Sequence, residues 1–222
     1  MPSRTGRPPR ISRAEIVTAA HRVIEEDGVA GLTMRRLARE VGSTPMALYH
    51  HVRDKDELLL LLLDDYAAGM PRPELPEEPG ERIVAAAAAL REGLAGWPWV
   101  VEVIRADDLL SVRALWYPEQ IIDAAMSAGL AIEQAVDAYR IIWHYTAGEV
   151  AGRAAAGRRR EDGSMTYRDR VFAELDAREY PRLSQVGGRW AELTARDTYE
   201  QGLRALVRGL LPAKQWPRGG GP

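Results

Sequence analysis

The sequence contains no cysteine, and this absence excludes disulfide bonds, thiolate metal ligands and a cysteine nucleophile. A chain without cysteine is compatible with a reducing compartment, so we expect a cytoplasmic protein. Long apolar runs are also missing, because the longest leucine run, Leu58–Leu63, is far shorter than the roughly 18 residues typical of a membrane helix. The first fifteen residues are polar and rich in arginine and proline, which does not fit the apolar centre of a signal peptide.

Motifs that carry common catalytic chemistry are absent as well. The chain has no glycine-rich phosphate loop, no G-x-S-x-G nucleophile elbow and no set of residues with metal-ligand spacing. The neighbouring His50 and His51 diverge by about 100° on a helix, so they cannot comfortably share one ion. We therefore expect no enzyme activity, no cofactor and no metal.

Charge is balanced overall but not locally. The 222 residues carry a net charge of −2, with 28% charged and 46% hydrophobic residues, which is typical of a globular domain. Residues 1–13 contain Arg4, Arg7, Arg10 and Arg13 and no acid. A basic arm on a mildly acidic body is compatible with nucleic-acid binding, although the pattern leaves open whether Arg4, Arg7 and Arg10 contact DNA.

The chain is organised around residues 33–58, TMRRLAREVGSTPMALYHHVRDKDEL. Apolar residues at helical spacing end at Gly42, which suits the left-handed position after a helix. Thr44 can then cap a second helix, with Pro45 at its first position. Two helices joined by a short glycine turn form a helix-turn-helix unit, whose second helix can enter a DNA major groove.

Capping patterns predict the helices on either side of this unit. Ser12 and Glu15 form an S-x-x-E capping box for a helix that Gly28 ends, and Asp54 with Glu57 opens a long helix to about Ala68. The Pro- and acid-rich residues 70–81 predict a hinge. We predict a flexible basic arm (1–11), a DNA-binding domain (12–60), a helical ligand-binding and dimerisation domain (61–212) and a disordered tail (213–222).

The body reads as helices throughout, without strand-like alternation or repeats, so the expected fold class is all-α. The main predicted helices cover about 81–95, 97–110, 118–127, 131–155, 167–178 and 195–211. The 131–155 helix is apolar nearly all round, which predicts burial on two sides. We expect residues 157–164 to form a polar loop, and we read Asp107-Asp108 as a helix surface.

In the head, the residues match a known pattern. Gly31-Leu32-Thr33, Leu37-Ala38, Val41-Gly42, the run Leu48–Val52, and Lys55 with Glu57-Leu58 resemble the TetR family of transcriptional repressors. In the body, WYPEQIIDAAMSAGL and YEQGLRALVRGLL resemble the tetracycline-repressor branch. The resemblance implies an all-helical homodimer that binds a palindromic operator and is released by a small molecule.

The resemblance also implies roles for individual residues. The DNA-binding candidates are Thr33, Arg35, Thr44, Pro45, Met46, Tyr49, His51 and Lys55. Ser43 and Ala47 depart from the family pattern, and Ala47 lacks a hydroxyl that could touch the DNA backbone. Few side chains on the second helix can hydrogen-bond to bases, so contact of Pro45 or Met46 with a thymine methyl is plausible.

The body is rich in aromatic residues for a chain with a single phenylalanine. Each aromatic residue alone is more typical of a core, but together with His144 they indicate a largely apolar pocket with a few polar anchors. The candidate ligand residues are Tyr66, Trp99, Val103, Trp116, Trp143 and His144. The candidate dimer interface comprises Gly148, Gly152, Leu203, Leu206, Val207 and Leu210.

Two functions remain open at this point. The first is a ligand-responsive repressor, in which an effector shifts the helix that starts at Asp54 and misaligns the paired recognition helices. The alternative is a small-molecule binding or sequestering protein whose DNA-binding head is degenerate. Substitution of Tyr49 and Lys55 separates them, because only a regulator loses operator binding while its ligand affinity is kept.

Overall fold

In the computed structural model, residues 11–107, 109–161 and 166–212 are described, and every regular element among them is helical. The all-α expectation is therefore confirmed. The α-helices are α1 (Arg13–Gly31), α2 (Met34–Glu40), α3 (Pro45–Leu48), α4 (Lys55–Ala68), α5 (Pro79–Ala95), α6 (Pro98–Asp107), α7 (Trp116–Ser127), α8 (Ile132–Glu161), α9 (Tyr167–Ala173), α10 (Leu183–Val186), α11 (Trp190–Thr194) and α12 (Tyr199–Leu210). Short 3₁₀ turns lie at Val112–Leu115 and Gly187–Arg189.

The chain divides into two compact units. The first comprises the chain up to Arg72 together with Glu92–Glu119, and the second comprises Pro73–Arg91 and the chain from Gln120 onward. No helix within the described ranges is long and apolar enough to cross a membrane. Within the same ranges, no three His, Asp or Glu side chains are grouped closely enough to hold a metal ion.

Local capping starts α1 where the sequence predicts. The Ser12 hydroxyl accepts a hydrogen bond from the Glu15 backbone N–H at 3.2 Å, and the Glu15 carboxylate accepts one from the Ser12 N–H at 2.7 Å. The bonds that the Ser12 N–H and the Ser12 hydroxyl donate to the Glu15 carboxylate hold the pKa of Glu15 below its ordinary value. Gly28 leaves the helical region at φ 70° and ψ 175°, so regular helix stops there, although the helical segment continues to Gly31.

The first four helices share one apolar core in the first unit. α1 contributes the stripe that its sequence period predicts, α2 and α4 pack against α1, and α3 packs against α2. The buried residues of this core are Ile16, Ala19, Ala20, Val23, Ile24, Leu37, Ala38, Leu48, Val52, Leu58, Leu59, Leu62 and Leu63. Leu48 has no exposed surface, so it anchors the four-residue α3 in this core.

The second unit is built around α8 and α12. Its buried cluster includes Ile83 of α5, Ile121 and Ala124 of α7, Ile142 of α8 and Leu203 of α12. α12 and α8 approach closely at Gly202, because a Cβ there would overlap the Tyr145 hydroxyl oxygen. A side chain at residue 202 would therefore displace the Tyr145 ring, which stacks on Tyr199.

Several predicted boundaries were wrong in the body. α8 continues to Glu161, so the start of the predicted 157–164 loop is helical, whereas α9 ends at Ala173 and α12 begins only at Tyr199. The short helices α10 and α11 were not predicted, since four or five residues give too little periodicity to detect. Residues 1–10 of the predicted arm (1–11), Asp108 and the predicted tail at 213–222 lie outside the described residues.

Candidate nucleic-acid interface and small-molecule cavity

The turn between α2 and α3 has the geometry of a helix-turn-helix unit. The Thr33 hydroxyl accepts from the Arg36 N–H at 3.1 Å and caps α2, and the Thr44 hydroxyl accepts from the Ala47 N–H at 3.3 Å and caps α3. Between them Gly42 adopts φ 64°, a conformation that disfavours any residue with a Cβ. These local bonds fix the angle at which α3 leaves α2.

Most of the predicted DNA-binding residues lie on the surface of this unit. Met46 is 70% exposed and Tyr49 is 48% exposed, although both are large and apolar enough to favour burial. This short segment therefore has an exposed face with Met46 and Tyr49 and a buried face with Leu48. The other exposed candidates are Thr33, Arg35, Thr44, Pro45 and Lys55, whereas His51 is half-buried.

We call residues 44–52 the recognition segment, and only a short part of it is α-helical. α3 covers Pro45–Leu48, and a turn continues to Val52, whose N–H donates to the Leu48 carbonyl oxygen at 3.0 Å. Val52 is buried, so both ends of the segment are attached to the core. The exposed side chains between these anchors are therefore presented on a fixed backbone.

Two neighbouring arginines on α2 have different environments. The Arg36 guanidinium forms ion pairs with Glu26 at 2.8 Å, Asp27 at 3.2 Å and Glu40 at 3.5 Å. Arg35 is exposed, and its guanidinium has no ion pair or hydrogen bond within the described ranges. Arg36 thus ties α2 to the end of α1, while Arg35 has its donors available for a phosphate or a base.

This contrast gives a matched pair of substitutions. Arg36→Ala should lower the free energy of unfolding by about 1 kcal/mol, because a partly exposed ion-pair network is lost and three acids lose the cation that they share. Arg35→Ala removes the same side chain from an adjacent position and should leave the unfolding midpoint unchanged. Urea denaturation of both variants checks this, and equal midpoints would show that the Arg36 network contributes nothing.

The start of α4 presents a single unpaired cation. The Asp54 carboxylate accepts from the Glu57 N–H at 2.8 Å and caps the helix, and the Glu57 carboxylate accepts from the Arg53 N–H at 2.6 Å. The bonds from Arg53 hold the pKa of Glu57 below its usual value, so this carboxylate is ionised at neutral pH. Lys55 is exposed on the first turn and has no ion pair among the residues that the structure describes.

The first unit also contains a cavity of about 490 Å³. Its walls come from α1, α4, the segment after α4, the last turn of α5 and the residues before α6. The lining residues are His21, Asp65, Tyr66, Gly69, Met70, Pro71, Glu92, Gly93, Gly96 and Trp97. The volume lies within the range of about 300–1,000 Å³ that is typical of small-molecule sites.

Aromatic rings form one wall of this cavity. The His21 and Trp97 ring centroids are 4.7 Å apart, and the Tyr66 and Trp97 rings meet edge-to-face at 5.9 Å. The Tyr66 hydroxyl donates a hydrogen bond to the Gly93 carbonyl oxygen, and burial raises the pKa of this phenol. Tyr66 is therefore neutral and held in one orientation.

The structure distributes the six predicted ligand residues over both units. Tyr66 lines the cavity, whereas Trp99 and Val103 are packed in the core of the first unit and Trp116 lies half-buried against Tyr117. Trp143 and His144 belong to the second unit. His144 is exposed on α8, and its assignment as a ligand residue stays a prediction.

The predicted dimer residues also separate into two groups. Gly148 and Gly152 are exposed, and a Cβ added to either would meet nothing within 4 Å. Leu206 and Leu210 are half-buried. Leu203 and Val207 have no exposed surface because they fill the core of their own chain, and this burial corrects the prediction that they face a partner.

Sequence reasoning missed most of the cavity residues. His21, Asp65, Met70, Glu92 and Trp97 come from separate segments, and none of them stands in a motif with its neighbours. Trp97 is one of the aromatic residues of the body that together indicate a pocket, and His21 is a single imidazole beside the apolar stripe of α1. Neither signal indicates which residues come together.

The capped helix-turn-helix unit and the exposed face of α3 define the class of the protein, a DNA-binding regulator of the helix-turn-helix type. The model of the tetR family of bacterial regulatory proteins matches residues 16–62, and the tetracyclin repressor-like C-terminal domain matches residues 72–213. The chain belongs to the tetR family.

Individual relatives agree with this assignment. An HTH-type transcriptional regulator of Saccharopolyspora erythraea is 30% identical over 212 residues, covering 91% of this chain and 85% of the relative. The TetR family protein ActR of Streptomyces coelicolor, in complex with actinorhodin, is 25% identical over 92% of this chain and 96% of ActR, with a TM-score of 0.72. BioQ with its natural double-stranded DNA operator is 26% identical over 90% of this chain and 98% of BioQ, with a TM-score of 0.62.

Proposed function

We propose that this protein is a non-enzymatic, ligand-responsive transcriptional repressor of the cytoplasm. It binds a palindromic operator as a homodimer and is released by a small, largely apolar molecule. The observation that carries the proposal is the exposed face of the recognition segment, where Met46 and Tyr49 are held out by the buried Leu48. Exposed apolar side chains on a rigid surface element are typical of a contact surface.

Recognition of the operator divides into two kinds of contact. Arg35, Lys55, His51 and Thr33 supply phosphate contacts, which provide affinity and make it dependent on salt. Thr44, Pro45, Met46 and Tyr49 present the groove-facing surface, where Met46 can pack on a thymine methyl. Because one short helix reads few bases, specificity depends on two heads at half-sites about 34–36 Å apart or a multiple.

The first experiment is a gel shift with DNA from the promoter region of the protein's own gene. We expect a salt-sensitive complex with two chains per operator, since dimer binding requires a repeated half-site. A double variant, Tyr49→Ala with Lys55→Ala, should lose this complex. Failure of the wild-type protein to bind any palindromic fragment at low salt would reject the repressor and favour a sequestering protein.

Dimerisation is proposed to use the small-residue stripe on α8. Gly148 and Gly152 lie one helical turn apart on an exposed side, and Ile141 on the same side is 42% exposed. Glycines at this spacing let a second helix approach closely, and the half-buried Leu206 and Leu210 of α12 provide apolar surface for the seam. The other two apolar candidates, Leu203 and Val207, hold α12 in place from the core of their own chain.

A substitution at Gly152 tests this interface. Gly152→Leu should convert the dimer to a monomer at micromolar concentration, because the leucine side chain would occupy the space of the partner helix. It should not unfold the chain, since leucine favours helix over glycine by roughly 0.8 kcal/mol. Sedimentation or light scattering gives the mass, with Glu133→Leu on the same helix as the control. A dimer that survives Gly152→Leu would place the interface elsewhere.

A further inference from the structure

We propose that the cavity of the first unit takes a hydrophobic organic cation, and that such a cation is the effector. This inference deepens the proposed repressor function and rests on it. The cavity lining supplies negative charge and aromatic faces together. That combination matches the chemistry of an aryl- or alkyl-substituted ammonium, phosphonium or similar ion.

The charge of the cavity has one sign. Asp65 and Glu92 contribute carboxylates, and no arginine or lysine is among the lining residues. The only titratable nitrogen of the lining is that of His21, whose Nε2 lies 3.4 Å from the Asp65 carboxylate. Glu92 is exposed and has no ion pair among the described residues, so its charge is available to an occupant.

The aromatic wall adds a second attraction for a cation. The Trp97 ring stands between His21 and Tyr66, and it meets Tyr66 edge-to-face at 5.9 Å. Indole is the strongest partner for a cation above its face, with an attraction of about 0.5–2 kcal/mol. The buried Met70 thioether contributes a polarisable apolar surface to the same cavity.

Other ligand classes fit this lining less well. An anion would face two carboxylates without a cationic partner, and Coulomb repulsion would oppose its entry. A neutral apolar molecule would remove water from Asp65 and Glu92 without replacing it by a countercharge. A cation with apolar substituents satisfies both the charges and the rings.

The cavity is attached directly to the DNA-binding helices. His21 is on α1, whose neighbouring Ala20 and Val23 are in the core of the head, and Asp65 and Tyr66 are on α4. A cation at the Asp65 carboxylate would compete with His21 for it and would loosen the contact that joins α1 to α4. The spacing between the head helices and α4 would then change upon binding, which gives a route from effector to operator.

The test compares two ions of nearly equal size and opposite charge. Isothermal titration calorimetry of the full chain is performed with tetraphenylphosphonium and, separately, with tetraphenylborate. We expect saturable binding of one tetraphenylphosphonium per chain and at least tenfold weaker binding of tetraphenylborate. Equal binding of both ions, or binding of neither, would overturn the inference.

Variants then locate the site. Glu92→Gln should weaken tetraphenylphosphonium binding about two- to fivefold, because it removes one partly exposed charge and keeps the shape. Trp97→Ala should weaken it about tenfold or more, since the ring supplies both area and cation attraction. Glu102→Gln, an exposed acid on α6 outside the lining, is the control and should bind like the wild type. Unchanged affinity in both cavity variants would overturn the assignment, and Glu92→Gln guards against a Trp97→Ala variant that fails to fold.

A second readout separates this inference from the proposed function. Fluorescence anisotropy of labelled operator DNA should fall when tetraphenylphosphonium is added, and Glu92→Gln should shift the required concentration upward by the same factor. If operator binding is intact but tetraphenylphosphonium neither binds nor releases DNA, the cation inference is wrong and the repressor stands. If the ion binds but the protein binds no operator, the repressor fails while the chemistry of the cavity is supported.

Discussion

Replacing Tyr199 with alanine is expected to lower the free energy of unfolding by about 3–5 kcal/mol, the range for a large buried aromatic side chain. Tyr199 is 1% exposed and is among the largest fully buried side chains of the structure. Its ring stacks on Tyr145 with centroids 5.3 Å apart, and the Arg91 guanidinium carbon lies 4.6 Å from the ring centroid. Alanine would leave a cavity that the surrounding helices cannot close without moving.

The hydroxyl of Tyr199 adds a polar component to the same site. It donates a hydrogen bond to the Ala87 carbonyl oxygen at 3.1 Å and pairs with the Thr146 hydroxyl at 2.8 Å. Burial raises the pKa of Tyr199 to about 12, so the phenol is neutral and able to donate throughout the physiological range. One side chain therefore links α5, α8 and α12.

Two matched variants resolve these contributions by urea denaturation. Tyr199→Phe keeps the ring and should cost about 1–2 kcal/mol, because the buried Thr146 hydroxyl and Ala87 carbonyl lose a partner. Tyr167→Ala removes a tyrosine that is 77% exposed and should change stability by less than about 0.5 kcal/mol. A Tyr199→Ala midpoint close to that of Tyr167→Ala would contradict the role of Tyr199 as the buried side chain that links α5, α8 and α12.

The parts of the fold that sequence reasoning predicted well are those fixed by neighbours in the chain. The caps at Ser12, Thr44 and Asp54 all form with the N–H that their spacing predicts. A cap depends on three or four consecutive residues, so its information is local. The positive φ of Gly42 follows in the same way from the end of one helix and the start of the next.

Contacts between distant segments were not readable from the pattern. α12 has a strongly one-sided apolar face, and this face predicted burial of Leu203 and Val207 without indicating which surface buries them. α8 is apolar nearly all round, so its period does not distinguish the solvent side that carries His144 from the core side that carries Ile142. The period of apolar residues in a helix predicts which face is buried, but it does not predict which element covers that face.

The cavity was even less predictable from the sequence than the packing of α8 and α12. Its aromatic wall brings together His21, Tyr66 and Trp97, which are separated along the chain by tens of residues and share no motif. Tyr66 is among the residues predicted to bind a ligand, but the sequence did not indicate its neighbours in the cavity. Trp97 and His21 required the packing of α1 against the segment before α6, which only the three-dimensional structure provides.

The second large effect is expected at Lys55. Lys55→Ala should weaken operator binding by about 10- to 50-fold at low salt, because a dimer loses two charged phosphate contacts at once. The slope of log affinity against log salt concentration should become shallower by roughly 2, since each lost contact to B-DNA contributes about 0.9. Fluorescence anisotropy with operator DNA over a range of salt concentrations measures both quantities.

The position of Lys55 supports a role in DNA binding and not in the stability of α4. A cation in the first turn of a helix opposes the positive end of the helix dipole, so Lys55 is slightly unfavourable for α4 itself. Its neighbours Asp54 and Glu57 serve the helix by capping, whereas Lys55 is exposed and has no ion pair among the described residues. We therefore expect Lys55→Ala to keep or slightly raise the unfolding midpoint while it weakens binding.

Arg140→Ala is the matched control, because it removes one exposed positive charge from α8 in the second unit. It should change neither the affinity nor the salt slope by a measurable amount, since an exposed charge outside the head releases no counterions from the operator. If Lys55→Ala weakens binding but leaves the salt slope unchanged, Lys55 acts through the shape of α4 and not through phosphate. If both variants weaken binding equally, the effect comes from net charge and Lys55 is not a contact.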